Sequence, residues 1–319
     1  MNLVKLLAPA WAVFTCACLL RCWPAEQTQG AQASAERLAA QLEGELEQAI
    51  GKSQAAFVFV GGGAGVCISP DGYILTSNHV VSRQARWTVR IYGAGQLYPA
   101  DVVGRDPLGD VALLKVPDAR GLPWAPLADP ARLRVGQWVL ALGDPYKLGD
   151  LHGPPAASLG TLSALHRYQP DGRGLAAGFC ADLLQADAAV NPGCSGGPLL
   201  TLNGELAGLT SLIMARFGGK VNSGIAYATP AGQLARFLPL LKTAKGGVVH
   251  HGTLPPETWA EIGGCPHLSV NGEAMLSTHQ LMGTVQSYPE GAEVELAARR
   301  GAEESRLRVK LVRLQLPGR

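Results

Sequence analysis

The sequence is poor in charged and aromatic side chains, and its cysteines form no readable framework. Charged residues make up 16% of the chain and aromatic residues 6%, and 27 basic side chains nearly balance 25 acidic ones. A net charge of +2 without a basic stripe gives no electrostatic footprint for nucleic acid, so no nucleic acid partner is predicted. Cys16, Cys18 and Cys22 lie near the N-terminus and the other four cysteines are widely spaced, so the pattern indicates neither a disulfide scaffold nor a zinc pair.

Glycine and proline, by contrast, are abundant. The 40 Gly and 22 Pro interrupt the chain too often for a long helical array or a coiled coil. A length of 319 residues leaves room for one large domain or two ordinary ones, each with a sizeable core. Turn-rich β structure is therefore the favoured class.

The first 33 residues have the features of an export signal. Lys5 precedes an apolar run from Leu6 to Leu20, and Ala31-Gln32-Ala33 offers small residues to a signal peptidase. The run is shorter than the roughly 20 residues that comfortably span a bilayer, which favours cleavage. Arg21 directly after the run keeps an uncleaved membrane anchor as the alternative. Either way we expect an exported protein, located in the periplasm or cell envelope or secreted.

The segment after the signal changes from a helical to a β pattern. Residues 34–54 predict an amphipathic helix, because Leu38, Leu42, Leu46 and Ile50 recur every four residues between glutamates. From residue 55 onward, short aliphatic runs are bounded by turns such as Pro70-Asp71-Gly72, which is typical of an all-β barrel or sandwich. The runs are Phe57–Val60, Val66–Ser69, Tyr73–Thr76, Trp87–Ile91, Val111–Val116 and Trp138–Leu142, followed by Leu183–Gln185, Leu199–Leu202, Leu206–Ile213 and Ile225–Ala228.

The C-terminal part of the chain is predicted to be a separate module. Residues 233–241 predict a helix that closes the β-rich domain at residues 55–243. Ala244-Lys245-Gly246-Gly247 then reads as a linker. Residues 244–319 are accordingly interpreted as this linker and a small second domain.

Three separate segments each place one chemically reactive side chain at the edge of a predicted strand. His79 follows one strand, Asp110 precedes another, and Ser195 lies in the turn Gly193-Cys194-Ser195-Gly196-Gly197. A serine hydroxyl becomes nucleophilic when a base removes its proton, and an imidazole base needs a carboxylate to fix its tautomer. Each residue alone has an ordinary reading, as a core histidine, a turn aspartate or a loop hydroxyl. Together they predict a Ser-His-Asp catalytic triad.

These segments resemble the HtrA (Deg) branch of the trypsin-like serine proteases, between Phe57 and Leu241. The family's histidine block is matched by Gly63–Ser69, Gly72–Thr76 and His79–Val81, its aspartate block by Asp110–Val116, and its serine block by the stretch from Gln185 to Ser195. Residues 135–145 and 160–164 match two connecting segments. As a set these motifs are highly specific.

The resemblance implies two six-stranded β-barrels of the chymotrypsin type, with the triad in the cleft between them. It also implies an oxyanion hole formed by the backbone N–H groups of Gly193 and Ser195. By position, the pocket for the side chain before the scissile bond would be lined by Val190, Ile213, Met214, Ile225, Ala226 and Tyr227. All are apolar, which predicts cleavage after small or medium aliphatic residues. The chemistry requires no cofactor, and no metal site is predicted.

The chain departs from the family pattern at two places near the predicted site. Cys194 stands where the family usually has asparagine, and we expect an inert thiol that fills space. The segment from Lys147 to Ala157 is where the family carries a mobile regulatory loop. Activity is therefore expected to depend on the conformation of this segment.

The C-terminal module resembles the second half of a PDZ domain. Ser269–Glu273 is followed by Leu281 and by an alternation of apolar residues, Val294, Leu296, Leu307, Val309, Leu311 and Val312. The loop that captures a peptide carboxylate in PDZ domains is not visible in residues 252–265, and His267 falls where an apolar core residue is expected. We therefore expect a shortened or degenerate PDZ-like α+β domain. His250, His251, Cys265 and His267 match no metal-binding spacing and are interpreted as a solvated linker.

The resulting hypothesis is an exported serine endopeptidase that cuts unfolded or misfolded proteins through an acyl-enzyme at Ser195. The family resemblance adds a homotrimer as a further expectation, and the N-terminal segment adds a membrane tether. An α/β-hydrolase built on the G-x-S-x-G turn is disfavoured, because Pro198 and a strand follow the serine and the base and acid precede it. A catalytically latent HtrA-like binding or chaperone protein on the same fold stays open as the alternative.

Overall fold

The structure of the chain, a computed structural model, describes residues 25–148, 153–169, 180–213, 224–263, 265–301 and 303–315. Residues 1–48 and 49–319 form two separate compact units. The described part of the N-terminal unit belongs to helix α1, Ala25–Gln54, which starts before the predicted residue 34 and includes Ala31-Gln32-Ala33. Most of the predicted export signal, residues 1–24, lies outside the described residues. Within the described ranges, no helix combines the length and the apolar character that a membrane span requires.

Two closed, six-stranded antiparallel barrels form most of the larger unit and confirm the predicted all-β class. The first barrel has the strand order β1-β2-β3-β6-β5-β4 and the second the order β10-β11-β12-β9-β8-β7. The strands of the first are β1 (Phe57–Val60), β2 (Gly63–Cys67), β3 (Tyr73–Ser77), β4 (Arg86–Ile91), β5 (Gln96–Asp106) and β6 (Val111–Lys115), with the short helix α2 (Asn78–Val81) after β3. Those of the second are β7 (Trp138–Gly143), β8 (Ala156–Gln169), β9 (Cys180–Ala186), β10 (Pro198–Thr201), β11 (Leu206–Ile213) and β12 (Ala226–Pro230).

Each barrel is filled by its own aliphatic side chains. Val58, Ile74 and Leu114 are fully buried in the first barrel, and Val139 and Leu162 are fully buried in the second. Burial of a Val, Leu or Ile side chain contributes roughly 1.5–3 kcal/mol to folding, so the runs that predict the strands also supply the cores. Because barrel closure leaves no free sheet edge, the positions of the strand ends are fixed by the pairing register.

Residues after the second barrel form helix α3 and a small α+β module, in agreement with the predicted fold class, while the division into a separate domain stays a prediction. The module contains a four-stranded sheet of order β15-β14-β16-β17 and a two-stranded sheet of β13 with β18. Its elements are α3 (Ala231–Thr243), β13 (Gly252–Thr253), α4 (Pro256–Ile262), β14 (His267–Val270), β15 (Glu273–Met275), α5 (Thr278–Gln286), β16 (Glu293–Arg300), β17 (Glu303–Lys310) and β18 (Val312–Arg313). The Leu281, Val294, Leu296, Val309 and Leu311 side chains are buried in its core, whereas Val312 and His267 lie on the surface.

The module packs closely on the barrels, and part of the predicted solvated linker is buried in the contact. His250 is exposed as expected, but only 3% of the neighbouring His251 is accessible. Nε2 of His251 lies 2.8 Å from Oδ2 of Asp106 at the end of β5, and Nδ1 lies 2.6 Å from the carbonyl oxygen of Gln286 at the end of α5. The interpretation of His251 as a linker residue is therefore wrong, because it joins the first barrel to the module.

Two further polar contacts link the module to the second barrel and to α3. The Arg236 guanidinium donates to the carbonyl oxygen of Ser287 at 3.0 Å and to its hydroxyl at 2.7 Å, and lies over the Tyr288 ring. His166 on β8 lies 2.6 Å from a carboxylate oxygen of Asp182 on β9 and 3.3 Å from one of Glu273 on β15. The hydrogen bond that the His166 ring donates to Asp182 is the largest cause of a raised pKa of His166, and the negative charges of Asp182 and Glu273 raise it further.

We predict that Arg236→Met destabilises the chain more than Arg313→Met. Arg236 is partly buried and its loss leaves two oxygens of Ser287 without their charged donor, which should cost about 2 kcal/mol. Arg313 is its matched control, because it makes an exposed ion pair with Glu290 whose loss should cost less than about 1 kcal/mol. Urea denaturation of both variants, followed by circular dichroism, measures the difference. Equal losses of unfolding free energy would contradict this role of Arg236.

Candidate active site

The pairing of β3 with β6 brings His79 and Asp110 together. Ser77 at the end of β3 lies opposite Val111 at the start of β6. Helix α2, which follows Ser77, therefore lies beside the turn that precedes Val111. Oδ2 of Asp110 lies 2.8 Å from Nδ1 of His79, and Oδ1 accepts the backbone N–H of His79 at 2.9 Å. The carboxylate therefore holds both the ring and the backbone of the histidine.

The environments of the two side chains differ. The Asp110 side chain is 8% exposed, whereas half of the His79 side chain is accessible. Asp110 has a left-handed backbone with φ 54°, which is uncommon outside glycine but is best tolerated by Asn and Asp. A carboxylate withdrawn from water and an imidazole open to solvent are the arrangement that a general base with an orienting partner requires.

The loop of Ser195 lies near the short helix α2, which carries His79. The Ser195 carbonyl oxygen accepts the backbone N–H of Ala64 on β2 at 2.9 Å. A methyl group at Gly63 would lie 2.9 Å from the same oxygen and 2.6 Å from a methyl carbon of Val80, so Ser195 and Val80 flank one glycine. The structure thus brings the loop of the second barrel that carries Ser195 against the strands that lead to His79.

Glycines and Thr210 hold the Ser195 loop in its conformation. Gly193 has φ 104° and Gly196 has φ 82°, and a methyl group at Gly193 would lie 2.1 Å from the carbonyl oxygen of Asp144. The Thr210 hydroxyl on β11 donates to the carbonyl oxygens of Cys194 at 2.7 Å and Gly197 at 3.0 Å. The loop therefore requires glycine at positions 193 and 196, and the Thr210 hydroxyl holds it by hydrogen bonds to two of its carbonyl oxygens.

The Pro192–Gly193 peptide is oriented by the segment before residue 149. The Tyr146 N–H donates to the carbonyl oxygen of Pro192 at 3.0 Å. Because the N–H and C=O groups of a trans peptide point to opposite sides, the Gly193 N–H points away from Tyr146. The assignment of Gly193 and Ser195 to an oxyanion hole stays a prediction, as does the regulatory role of the segment from Lys147 to Ala157, of which residues 149–152 lie outside the described residues.

Four of the six predicted pocket residues have described side chains. Val190 and Ala226 are buried and belong to the same apolar cluster, and Ile225 and Tyr227 are half-buried. The backbone of Ile213 pairs directly with Ala226, which places it at the same level of the barrel. The side chain of Ile213 and the whole of Met214 lie outside the described residues.

The other side chains around the site have structural partners. Cys194 is buried, burial raises the pKa of its thiol, and its sulfur occupies the space that Gly143 leaves free. These surroundings agree with an inert thiol. The Asp187 carboxylate accepts hydrogen bonds from the N–H of Thr161 at 2.5 Å and from its hydroxyl at 3.2 Å, so it is engaged by β8 directly after the end of β9.

Sequence reasoning missed Thr210 and Asp106, whose side chains hold the loop of Ser195 and the turn before Asp110 by hydrogen bonds. Thr210 lies within an apolar run that reads as strand interior, and Asp106 lies at the start of the Asp106-Pro107-Leu108-Gly109 turn. A polar residue inside an apolar strand and an aspartate three residues before a glycine are weak signals, and only the fold shows their partners. Within the described ranges no group of three or more His, Cys, Asp and Glu side chains is arranged to hold a metal ion.

Known proteins are similar to this chain in sequence. Residues 63–209 match the model of the trypsin-like peptidase domain. The chain is 33% identical over 278 residues to a protein of Bartonella henselae named a probable periplasmic serine endoprotease, DegP-like, and 43% identical over 169 residues to one of the same name from Rhizobium meliloti. These alignments cover 78% and 53% of this chain, but only 52% and 31% of the relatives, so the chain spans about half the length of the first relative.

Solved structures share the fold over most of the chain. An HtrA-type protease AlgW with a tripeptide superposes with a TM-score of 0.62 at 24% identity, and a serine endoprotease from Yersinia pestis with 0.55 at 28% identity. Each alignment covers 85% of this chain and 98% of the other. The chain thus carries a trypsin-like peptidase domain and is similar, in sequence and in its two-barrel fold, to DegP-like and HtrA-type serine proteases.

Proposed function

We propose that the chain is an exported serine endopeptidase that hydrolyses unfolded or misfolded proteins. The observation that carries the proposal is the His79–Asp110 pair, which is held by two hydrogen bonds next to the loop of Ser195. The relatives named as periplasmic serine endoproteases support export and proteolysis for this chain. Catalytic latency is the competing function, and turnover decides between the two.

The geometry suits acyl transfer in two steps. The Asp110 carboxylate accepts the Nδ1–H of His79, which leaves Nε2 as the base for the Ser195 hydroxyl. Ser195 Oγ then attacks the peptide carbonyl, and the N–H groups of Gly193 and Ser195 stabilise the oxyanion that develops. His79 next gives the proton to the leaving amine, and a water molecule activated by the same histidine hydrolyses the acyl-enzyme.

An extended, unfolded substrate fits the position of the reacting groups. Asp110 is buried and Ser195 is only half-buried, at a line of contact between two closed barrels. A peptide bond must leave its own secondary structure to place its carbonyl carbon at such a site. Unfolded chains offer such bonds without any cost of local unfolding, which favours them over folded proteins.

We predict that Ser195→Ala abolishes hydrolysis of unfolded casein and that Asp110→Asn lowers kcat about 10⁴-fold, because an amide holds the wrong tautomer of His79. Asp118→Asn is the matched control, since Asp118 is exposed and also has a left-handed backbone, with φ 53°. Mass spectrometry of the fragments measures turnover. A folded wild-type protein that binds casein but does not cleave it would establish the latent alternative.

We predict that Ala226→Val narrows the proposed specificity pocket, because Ala226 is buried beside Val190 and pairs with Ile213. The wild-type protein should cleave peptides after Val, Leu, Ile and Ala. In the variant, kcat/KM for a peptide with Leu before the scissile bond should fall at least 10-fold relative to the same peptide with Ala. This ratio does not depend on the folded fraction of the sample. An unchanged ratio would remove Ala226 from the pocket.

A further inference from the structure

His251 of the C-terminal module lies behind the turn that carries Asp110. Its Nε2 lies 2.9 Å from Oδ1 and 2.8 Å from Oδ2 of Asp106, and its Nδ1 lies 2.6 Å from the carbonyl oxygen of Gln286. Both ring nitrogens therefore face oxygens that accept hydrogen bonds, so the ring satisfies both only when each nitrogen carries a proton. The buried group is an imidazolium between a carboxylate and a carbonyl.

The charged neighbours of His251 act in opposite directions. Burial lowers the pKa of His251, and the positive charge of Arg236 adds to this, whereas the charge of Asp106 and the hydrogen bonds to Asp106 and Gln286 raise it, so that the net direction is upward. The Phe237 ring lies against the imidazole, with 4.4 Å between the ring centroids. A charged ring enclosed in this way is held tightly, because burial keeps solvent from competing for its hydrogen-bond partners.

Asp106 in turn organises the turn that precedes Asp110. Its Oδ1 accepts the backbone N–H of Leu108 at 3.2 Å and that of Gly109 at 2.8 Å. A methyl group at Gly109 would lie 2.4 Å from Oδ2 of Asp106 and 3.2 Å from Nε2 of His251, so these three residues are in contact. The Asp106 carboxylate thus fixes the two residues directly before Asp110.

The contacts form a continuous path from the module to the base. The imidazole of His251 binds Asp106, Asp106 binds the N–H groups of the turn, and Asp110 at the end of the turn binds His79. We propose that His251 is a positioning residue for catalysis, through which the C-terminal module completes the support of Asp110. This inference rests on the proposed function, because Asp110 has a catalytic role only in the triad.

The experiment compares the full-length wild-type protein with His251→Phe and His251→Gln. Phe keeps a ring against Phe237 but removes both donors, and Gln keeps one amide donor that can reach Asp106. We expect His251→Phe to lower kcat for casein peptides about 10- to 100-fold with KM unchanged, because a small displacement of a catalytic group costs on that order. His251→Gln should recover part of the loss. In His251→Phe the acidic limb of the kcat/KM profile should also move, because a displaced Asp110 stabilises the His79 imidazolium less.

Two control variants separate positioning from stability. His250→Phe changes the exposed neighbour of His251 and should leave kcat as in the wild type. Val285→Ala removes methyl groups from the core of the module, where Val285 is fully buried, and should lower Tm without moving the pH profile. If His251→Phe and Val285→Ala reduce kcat equally and neither moves the profile, His251 has only a structural role and the inference is overturned.

A spectroscopic readout keeps this test apart from that of the proposed function. The resonance of the Nδ1 proton that His79 shares with Asp110 can be followed by NMR in the wild type and in each variant, whether or not the protein turns over substrate. An inactive wild type with a resonance that shifts in His251→Phe, and not in His250→Phe, refutes the protease and supports the path. An active wild type whose resonance and kcat are the same in His251→Phe overturns the path and leaves the protease intact.

Discussion

The antiparallel register of β3 and β6 is the constraint on which the site depends. Ser77 faces Val111 because the first barrel closes with its aliphatic side chains inside, and a shift by one residue would turn that set outward. Asp110 directly precedes Val111 and His79 is the second residue after Ser77, and these two side chains form the partly buried hydrogen bond of the candidate site. The hydrophobic core of the barrel therefore sets the geometry of a polar pair that contributes little to the core itself.

Ser195 depends on a second constraint, which is the contact of backbone with backbone at glycine. Gly63 and Gly193 occupy positions where a methyl group would strike the carbonyl oxygens of Ser195 and Asp144. Such approaches have no side-chain alternative, and the loop conformation is secured by Thr210 and by peptide groups. The candidate nucleophile Ser195 is thus positioned by close backbone contacts that only glycine permits. The candidate base His79 and its partner Asp110 are positioned by the pairing of β3 with β6.

The short aliphatic runs predict most strands of the barrels, β1 and β11 to the residue, because burial on both faces of a small barrel demands such runs. Two strands escape this signal. β5 alternates buried and half-buried positions over most of its length and contains Pro99 and Gly104, and β8 carries exposed polar side chains at Ser163, His166 and Arg167. Their presence follows from the family resemblance and not from local pattern. The candidate triad can be proposed from the sequence because three reactive side chains in one order are rare, and the structure brings His79 and Asp110 of that set into contact. The burial of His251 depends on a partner 145 residues away and leaves no local trace.

The hydrogen bond between the Ala64 N–H and the Ser195 carbonyl oxygen crosses from one barrel to the other. A rotation of the barrels against each other must stretch this bond, and the same rotation carries Ser195 away from His79. Separation of the two barrels to admit a folded protein would therefore break this hydrogen bond and move Ser195 out of position. Under the proposed function, a substrate thus reaches the seam between the barrels as a single extended segment of chain, because the barrels stay joined beside Ser195.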